Sequence, residues 1–173
     1  MRKLMLLLAA AVFTAATAVA APVLAGDYDT KPNLAVAAKG GWWEADVRGF
    51  SGAPAYGLEL SADDPWTRMP VGKLRHMLSW NHEDGDDLRL DSAEWNVHWL
   101  FETRSGIWLG AGPGLGYVWT DGRDLNDSLG VQFGASATYF VGHALFGVES
   151  RYQWTEADAA DNWLTMIKVG YVF

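Results

Sequence analysis

Cysteine is missing from the chain, which removes disulfides, thiolate metal sites and thiol nucleophiles at once. The redox compartment therefore cannot be read from it. Proline is sparse, six in 173 residues, and no Pro/Ser-rich linker or shift in composition follows the first two dozen positions, so one domain is expected. Beyond the N-terminus no apolar run reaches the roughly 20 residues that a membrane helix needs. Positive charge is scarce as well, 13 Lys and Arg against 21 Asp and Glu, and that balance argues against a nucleic-acid partner.

What the chain does have begins with Met1-Arg2-Lys3, an apolar run from Leu4 to Phe13, and small residues ending Ala18-Val19-Ala20. A charged start, a short apolar stretch and an A-x-A site, in that order, make a secretory signal peptide. Cleavage is expected after Ala20, giving a signal peptide over residues 1–20, with Val23-Leu24-Ala25 as the alternative end at 25. Removing Arg2 and Lys3 lowers the basic count to 11 against the same 21 acids.

Past that point the dominant pattern is alternation with period two. In Ser128 to Phe140, Leu129, Val131, Phe133, Ala135, Ala137 and Tyr139 share one face, and Gly130, Gln132, Gly134, Ser136 and Thr138 the other. The split recurs over 92–102, 143–154 and 163–173, and again over 33–43, 54–61, 70–82 and 106–120. Turn-forming clusters separate these segments: Gly52-Ala53-Pro54, Asp63-Asp64-Pro65, Glu83-Asp84-Gly85, Arg104-Ser105-Gly106, Asp121-Gly122 and Asp158 to Asn162. The expectation is an all-β fold of eight antiparallel strands in up-and-down order, with the domain spanning 33–173.

Which face looks outward follows from volume. One face carries Trp42, Tyr56, Trp80, Trp95, Trp99, Tyr117, Trp119, Tyr152, Trp154 and Trp163, ten rings that do not fit inside an eight-stranded barrel. The opposite face carries Lys39, Glu59, Lys73, Arg75, Glu94, His98, Glu149, Arg151 and Lys168 in mid-strand. Rings outward and ions inward describe a transmembrane barrel, since in lipid a sheet must close on itself. The rings also sort by depth. Trp42, Tyr56, Trp80, Trp119, Trp154 and Trp163 fall beside the acidic loops, and Phe101, Tyr139, Tyr171 and Phe173 at the other strand ends, as two interfacial girdles would.

With the barrel in hand, Trp108-Leu109-Gly110-Ala111-Gly112-Pro113-Gly114-Leu115-Gly116-Tyr117 resembles the glycine-rich fifth strand of small outer-membrane barrels of the OmpA, OmpW and opacity-protein kind. Gly147-Val148-Glu149-Ser150-Arg151-Tyr152 is similar to their seventh strand, and Lys168-Val169-Gly170-Tyr171-Val172-Phe173 to their closing strand. The resemblance implies residence in a bacterial outer membrane, contact with its lipid and lipopolysaccharide, and recognition of the terminal aromatic-x-Phe by the outer-membrane insertion machinery. No peptidoglycan-binding domain is expected after Phe173, so anchorage to the wall through one is not either.

Candidate chemistry is thin. Gly110, Gly112, Gly114 and Gly116 have the wrong spacing for a dinucleotide loop; facing inward, they leave room for long side chains from neighbouring strands. The inward ions, five bases and three acids beside His98, should pair, because buried charge persists only when compensated, with Glu149 and Arg151 near the centre. No His is followed two residues on by Ser, the pair that lipid A deacylases carry, and no nucleophile-base pair is visible, so an enzyme is not expected. His76 falls outward between Leu74 and Leu78 and reads as a neutral imidazole near the interface. Loop carboxylates around Glu83, Asp84, Asp86 and Asp87, around Asp121, Asp124 and Asp127, and around Glu156, Asp158 and Asp161 could share divalent cations with lipopolysaccharide phosphates. Their spacing fits no calcium loop, and a solvated rim is the simpler account. The expectation is a monomeric structural or surface barrel with a plugged polar interior, without metal or cofactor; a narrow pore or a conduit for small solutes or apolar molecules is the alternative.

Overall fold

The computed structural model describes residues 32–45, 52–85, 89–121, 126–156 and 161–173. The expected signal peptide and the loop carboxylates Asp86, Asp87, Asp124 and Asp158 lie outside these residues.

Alternating side chains can satisfy both faces of a strand only if the sheet has two different surroundings, and the chain resolves this by rolling up. Its eight strands are β1 (Ala35–Ala45), β2 (Ala53–Asp63), β3 (Lys73–Asp84), β4 (Arg89–Glu102), β5 (Ile107–Asp121), β6 (Ser128–Val141), β7 (Ala144–Thr155) and β8 (Asn162–Val172). Each pairs antiparallel with the next, and β8 returns to β1 from Ala35↔Val172 to Ala45↔Asn162. The result is the closed up-and-down barrel expected from the alternation. Closure leaves no strand with an unpaired edge.

The described N-terminal segment, from Pro32, and the C-terminal Phe173 share one end with the connections 64–72, 103–106 and 142–143. The tightest is Gly142-His143, between the register partners Val141 and Ala144. Gly142 takes φ 57°, the left-handed setting that a two-residue hairpin requires of its first residue. Gly106, at φ 78°, ends the turn in which Thr103 and Ile107 close the β4–β5 hairpin.

Several strands run further than the sequence pattern indicated, and Ala53, Pro54, Asp121 and Asn162, read above as turn residues, lie in β2, β5 and β8. β2 continues through Asp63 and β3 through Glu83, both assigned above to turns. Asp63 stays in the ladder because its partner there is Arg75, so the ion pair and the backbone register agree. Both acids face inward and are buried.

The wall separates two environments. Ile167 is 67% exposed, Leu58 57% and Phe133 54%, whereas Lys39 is 5%, Glu59 2% and Lys168 3%. A barrel folded for water would show the reverse.

Candidate functional site: the barrel interior

At mid-height the lumen is crossed by ions from five strands. Arg151 on β7 grips Glu94 on β4 through two guanidinium nitrogens, its Nε donating to Oε2 at 2.8 Å and its Nη2 to Oε1. That fork-on-fork geometry suits arginine and not lysine. Arg151 also donates to Asn162 Oδ1 at 2.7 Å and lies 5.5 Å from the Trp43 ring. Glu94 accepts further from Ser92 at 2.6 Å and Asn81 at 2.7 Å, so its lone pairs are well used.

Beside this pair runs a second chain of charges. Lys168 on β8 donates to both oxygens of Glu59 on β2 at 3.0 Å and to Glu149 on β7 at 3.2 Å. Glu149 in turn accepts from Lys39 on β1 at 2.8 Å, and Lys39 donates to Ser79 on β3 at 3.0 Å. Most of these contacts skip at least one strand. They tie the cylinder across its bore, as the ladder ties it around the circumference.

The glycines of β5 supply the room. A Cβ on Gly112 would strike the backbone carbonyl of Val97, and one on Gly114 the Asn96 side chain and the Trp95 carbonyl. Over this bare strip, side chains of β4 and β6 meet: Gln132 donates to Asn96 at 2.6 Å, and His98 Nδ1 lies 2.9 Å from Ser136 Oγ. His98 and Ser136 are 3% and 8% exposed. Wedged beside Gly134, the imidazole has a hydroxyl neighbour but no approach for a substrate.

Lys73 and Arg75 do not join the central chain. Both turn to Asp63, Lys73 at 2.6 Å and Arg75 at 2.5 Å, and so form a separate group at the terminus-side mouth. Asp63, like Glu83, is an inward acid beyond the three that the alternation indicates. Asn33, at φ 39°, bends the N-terminal segment into the same group: its amide donates to Asp63 at 2.9 Å, its carbonyl accepts from Arg75, and Pro32 accepts from the Asp63 backbone. Lys73 lies 4.2 Å from the Trp108 ring, and Phe140 flanks both cations.

Above the central ions, Trp43, Ala45, Ala55, Leu90, Val118, Leu164 and Met166 form an apolar layer toward the loop end. Trp43 and Trp108 are thus inward rings that the alternation did not single out. On the outer wall, Trp42, Tyr56, Trp80, Trp119, Trp154 and Trp163 sit toward the loops, with Tyr56 edge-on to Trp80 and Tyr152 to Trp154. Phe101, Tyr139, Tyr171 and Phe173 sit toward the termini, with Tyr171 edge-on to Phe173. His76 is outward, stacked on Trp95 and 3.6 Å from Asp64.

Neither a protein-family model nor a curated protein matches the chain. Solved structures do. The crystal structure of Neisserial surface protein A aligns with a TM-score of 0.57 at 18% identity, over 82% of this chain and 97% of that one. The chain is a small eight-stranded barrel of that fold. Ail, the attachment invasion locus protein of Yersinia pestis, aligns at 0.55 and 12% identity over 84% of this chain and 100% of its own. The N-terminal β-barrel domain of Pseudomonas aeruginosa OprF aligns at 0.53 and 14% over 83% and 99%. At these identities the likeness is one of fold, and the wall and the lumen must speak for function.

Proposed function

We propose that the protein is a monomeric outer-membrane barrel with a bore packed shut, serving as a structural or surface component of that membrane and not as a pore or an enzyme. The observation that carries this reading is the chain of buried ion pairs spanning the lumen, Glu94 to Arg151 and Glu59 through Lys168 and Glu149 to Lys39. A water path would have to pass among charges already satisfied by one another. The apolar layer around Trp43 and the Asp63 group narrow the two ends.

Location in an outer membrane is supported by the apolar outer wall, by rings at both strand ends, by the signal-like N-terminus and by the fold shared with the three barrels above. The partners that follow are outer-membrane lipid, lipopolysaccharide at the loop end, and the insertion machinery reading Tyr171-Val172-Phe173 on the closing strand. No catalytic role is assigned. Among the described residues the nearest approach to a nucleophile-base pair, Ser136 and His98, is buried inside the wall.

The test is single-channel conductance of the refolded mature protein in a planar bilayer, with Glu149→Ala and Arg151→Ala alongside and heat-modifiable gel mobility as the check of folding. The wild-type protein is expected to be silent. Stable wild-type openings that change with either substitution would establish a conducting lumen and overturn the plugged reading.

A further inference from the structure

We propose that the β2–β3 connection, residues 64–72, is a second membrane anchor that lays Trp66 and Arg68 into the phospholipid headgroup zone of the leaflet nearest the chain termini. The proposal rests on the reading of the barrel as a membrane protein and goes beyond the rings carried by its strands.

Length first sets this connection apart. It has nine residues, against four in 103–106 and two in 142–143 at the same end. A hairpin needs only a few residues to reverse, so the surplus is available for something else. Its direction is fixed by contacts at both legs. Asp64 continues the outward parity of β2; its Oδ1 accepts from the backbone of Trp66 at 2.8 Å and Thr67 at 3.2 Å. Its other oxygen faces His76, an outward residue of β3. The returning leg is held by Trp99, an outward ring of β4, whose indole donates to the Val71 carbonyl at 2.7 Å. Both legs therefore lean on the outside of the wall. The bore itself is not available to them, because Pro32 and Asn33 occupy its mouth.

The loop carries an exposed indole to that place. Trp66 is 87% exposed, more than any other large apolar side chain among the described residues. Trp99, to which the loop is tied, lies two residues from Phe101 of the terminus-side girdle, so the loop reaches back to the level of those rings. An indole at that level gains most in the amphipathic interfacial layer. Arg68, also exposed, supplies a cation two residues away for lipid phosphate. Phospholipid is the occupant that this pairing of ring and cation fits. The acidic strand ends at Glu83, Asp84, Asp121 and Glu156 lie at the opposite end of the barrel.

The absence of cysteine makes the test clean. The mature protein carrying Met69→Cys is labelled with an environment-sensitive fluorophore and refolded in phospholipid vesicles. Its emission should be blue-shifted, quenched by lipids spin-labelled near the headgroup, and several-fold less accessible to aqueous iodide than the same label at Arg104→Cys in the β4–β5 turn. Adding Trp66→Ala should return it toward the Arg104→Cys values. A third label at Ile167→Cys, on the mid-strand outer wall, reports the barrel itself through lipids spin-labelled deep in the chain. If that label is lipid-buried while the Met69→Cys label is as wet as the turn label, or if Trp66→Ala leaves the loop label unchanged, the anchor is wrong and the membrane barrel stands. A wet label at Ile167→Cys would overturn the membrane reading, and the anchor with it.

Discussion

The central ions and the ions at the terminus-side mouth both pair lysine and arginine with carboxylates, yet they join different distances along the chain. Asp63 meets Lys73 and Arg75 across one hairpin, 10 and 12 residues away. Glu94 meets Arg151 at a separation of 57, and Lys39 meets Glu149 at 110. The ion pairs of Asp63 exist as soon as β2 and β3 pair. The central group exists only when the sheet closes, so its energy belongs to the barrel as a whole. Exposure differs too: the Lys73 side chain keeps 17% of its surface open, and the Arg151 side chain 5%. A buried charge that loses its partner cannot turn to solvent, whereas one at a mouth can.

The largest effect should therefore come from Arg151→Met, which leaves Glu94 buried with only amide and hydroxyl donors. We expect a loss of about 3–5 kcal/mol in urea unfolding of the vesicle-folded protein, most of it recovered in the double variant Glu94→Gln/Arg151→Met. A double variant as unstable as the single one would show that Arg151 acts by shape and not by charge. Asp63→Asn should cost less, about 1–3 kcal/mol, because Lys73 retains solvent and the Trp108 ring. Equal losses at the two sites would erase the distinction between mouth and centre.

The smallest effect concerns the loop just beyond Asp63. Hydrogen bonding from the Thr67 side chain, then from the Trp66 backbone, lowers the Asp64 carboxyl from 3.8 to about 2. A depressed carboxyl contributes order fully above its unfolded value and loses it as the pH falls through the folded one. The amide resonances of Trp66 and Thr67 should accordingly titrate with a midpoint near 2. A midpoint near 3.8 would mean that the loop is not held by this carboxylate in solution.

Much of the fold was legible because a strand gives each side chain one of two directions. Once ten rings are too bulky for the bore, Lys39, Glu59, Arg75, Glu94, Glu149, Arg151 and Lys168 are left with the inner side, where Glu149 keeps 12% of its side chain open and the others are buried. Asp63 was lost to the reading because Asp63-Asp64-Pro65 looks like a turn, and only the pairing with Arg75 extends the strand through it. Trp43 and Trp108 were missed for the opposite reason. A ring is an outward signal on average, yet Trp43 belongs to the inner apolar layer beside Arg151, and Trp108 lies under Lys73 at the terminus-side mouth.

Alternation, ring volume and turn residues, all local properties, were enough to determine the strand count, the faces and the closed topology of this protein. Which ion meets which was decided only by tertiary structure, since partners such as Glu59 and Lys168 lie 109 residues apart and their meeting depends on the register in which β8 returns to β1. The outward lean of 64–72 was decided the same way, by contacts with His76 and Trp99 that form only after β3 and β4 stand beside the loop.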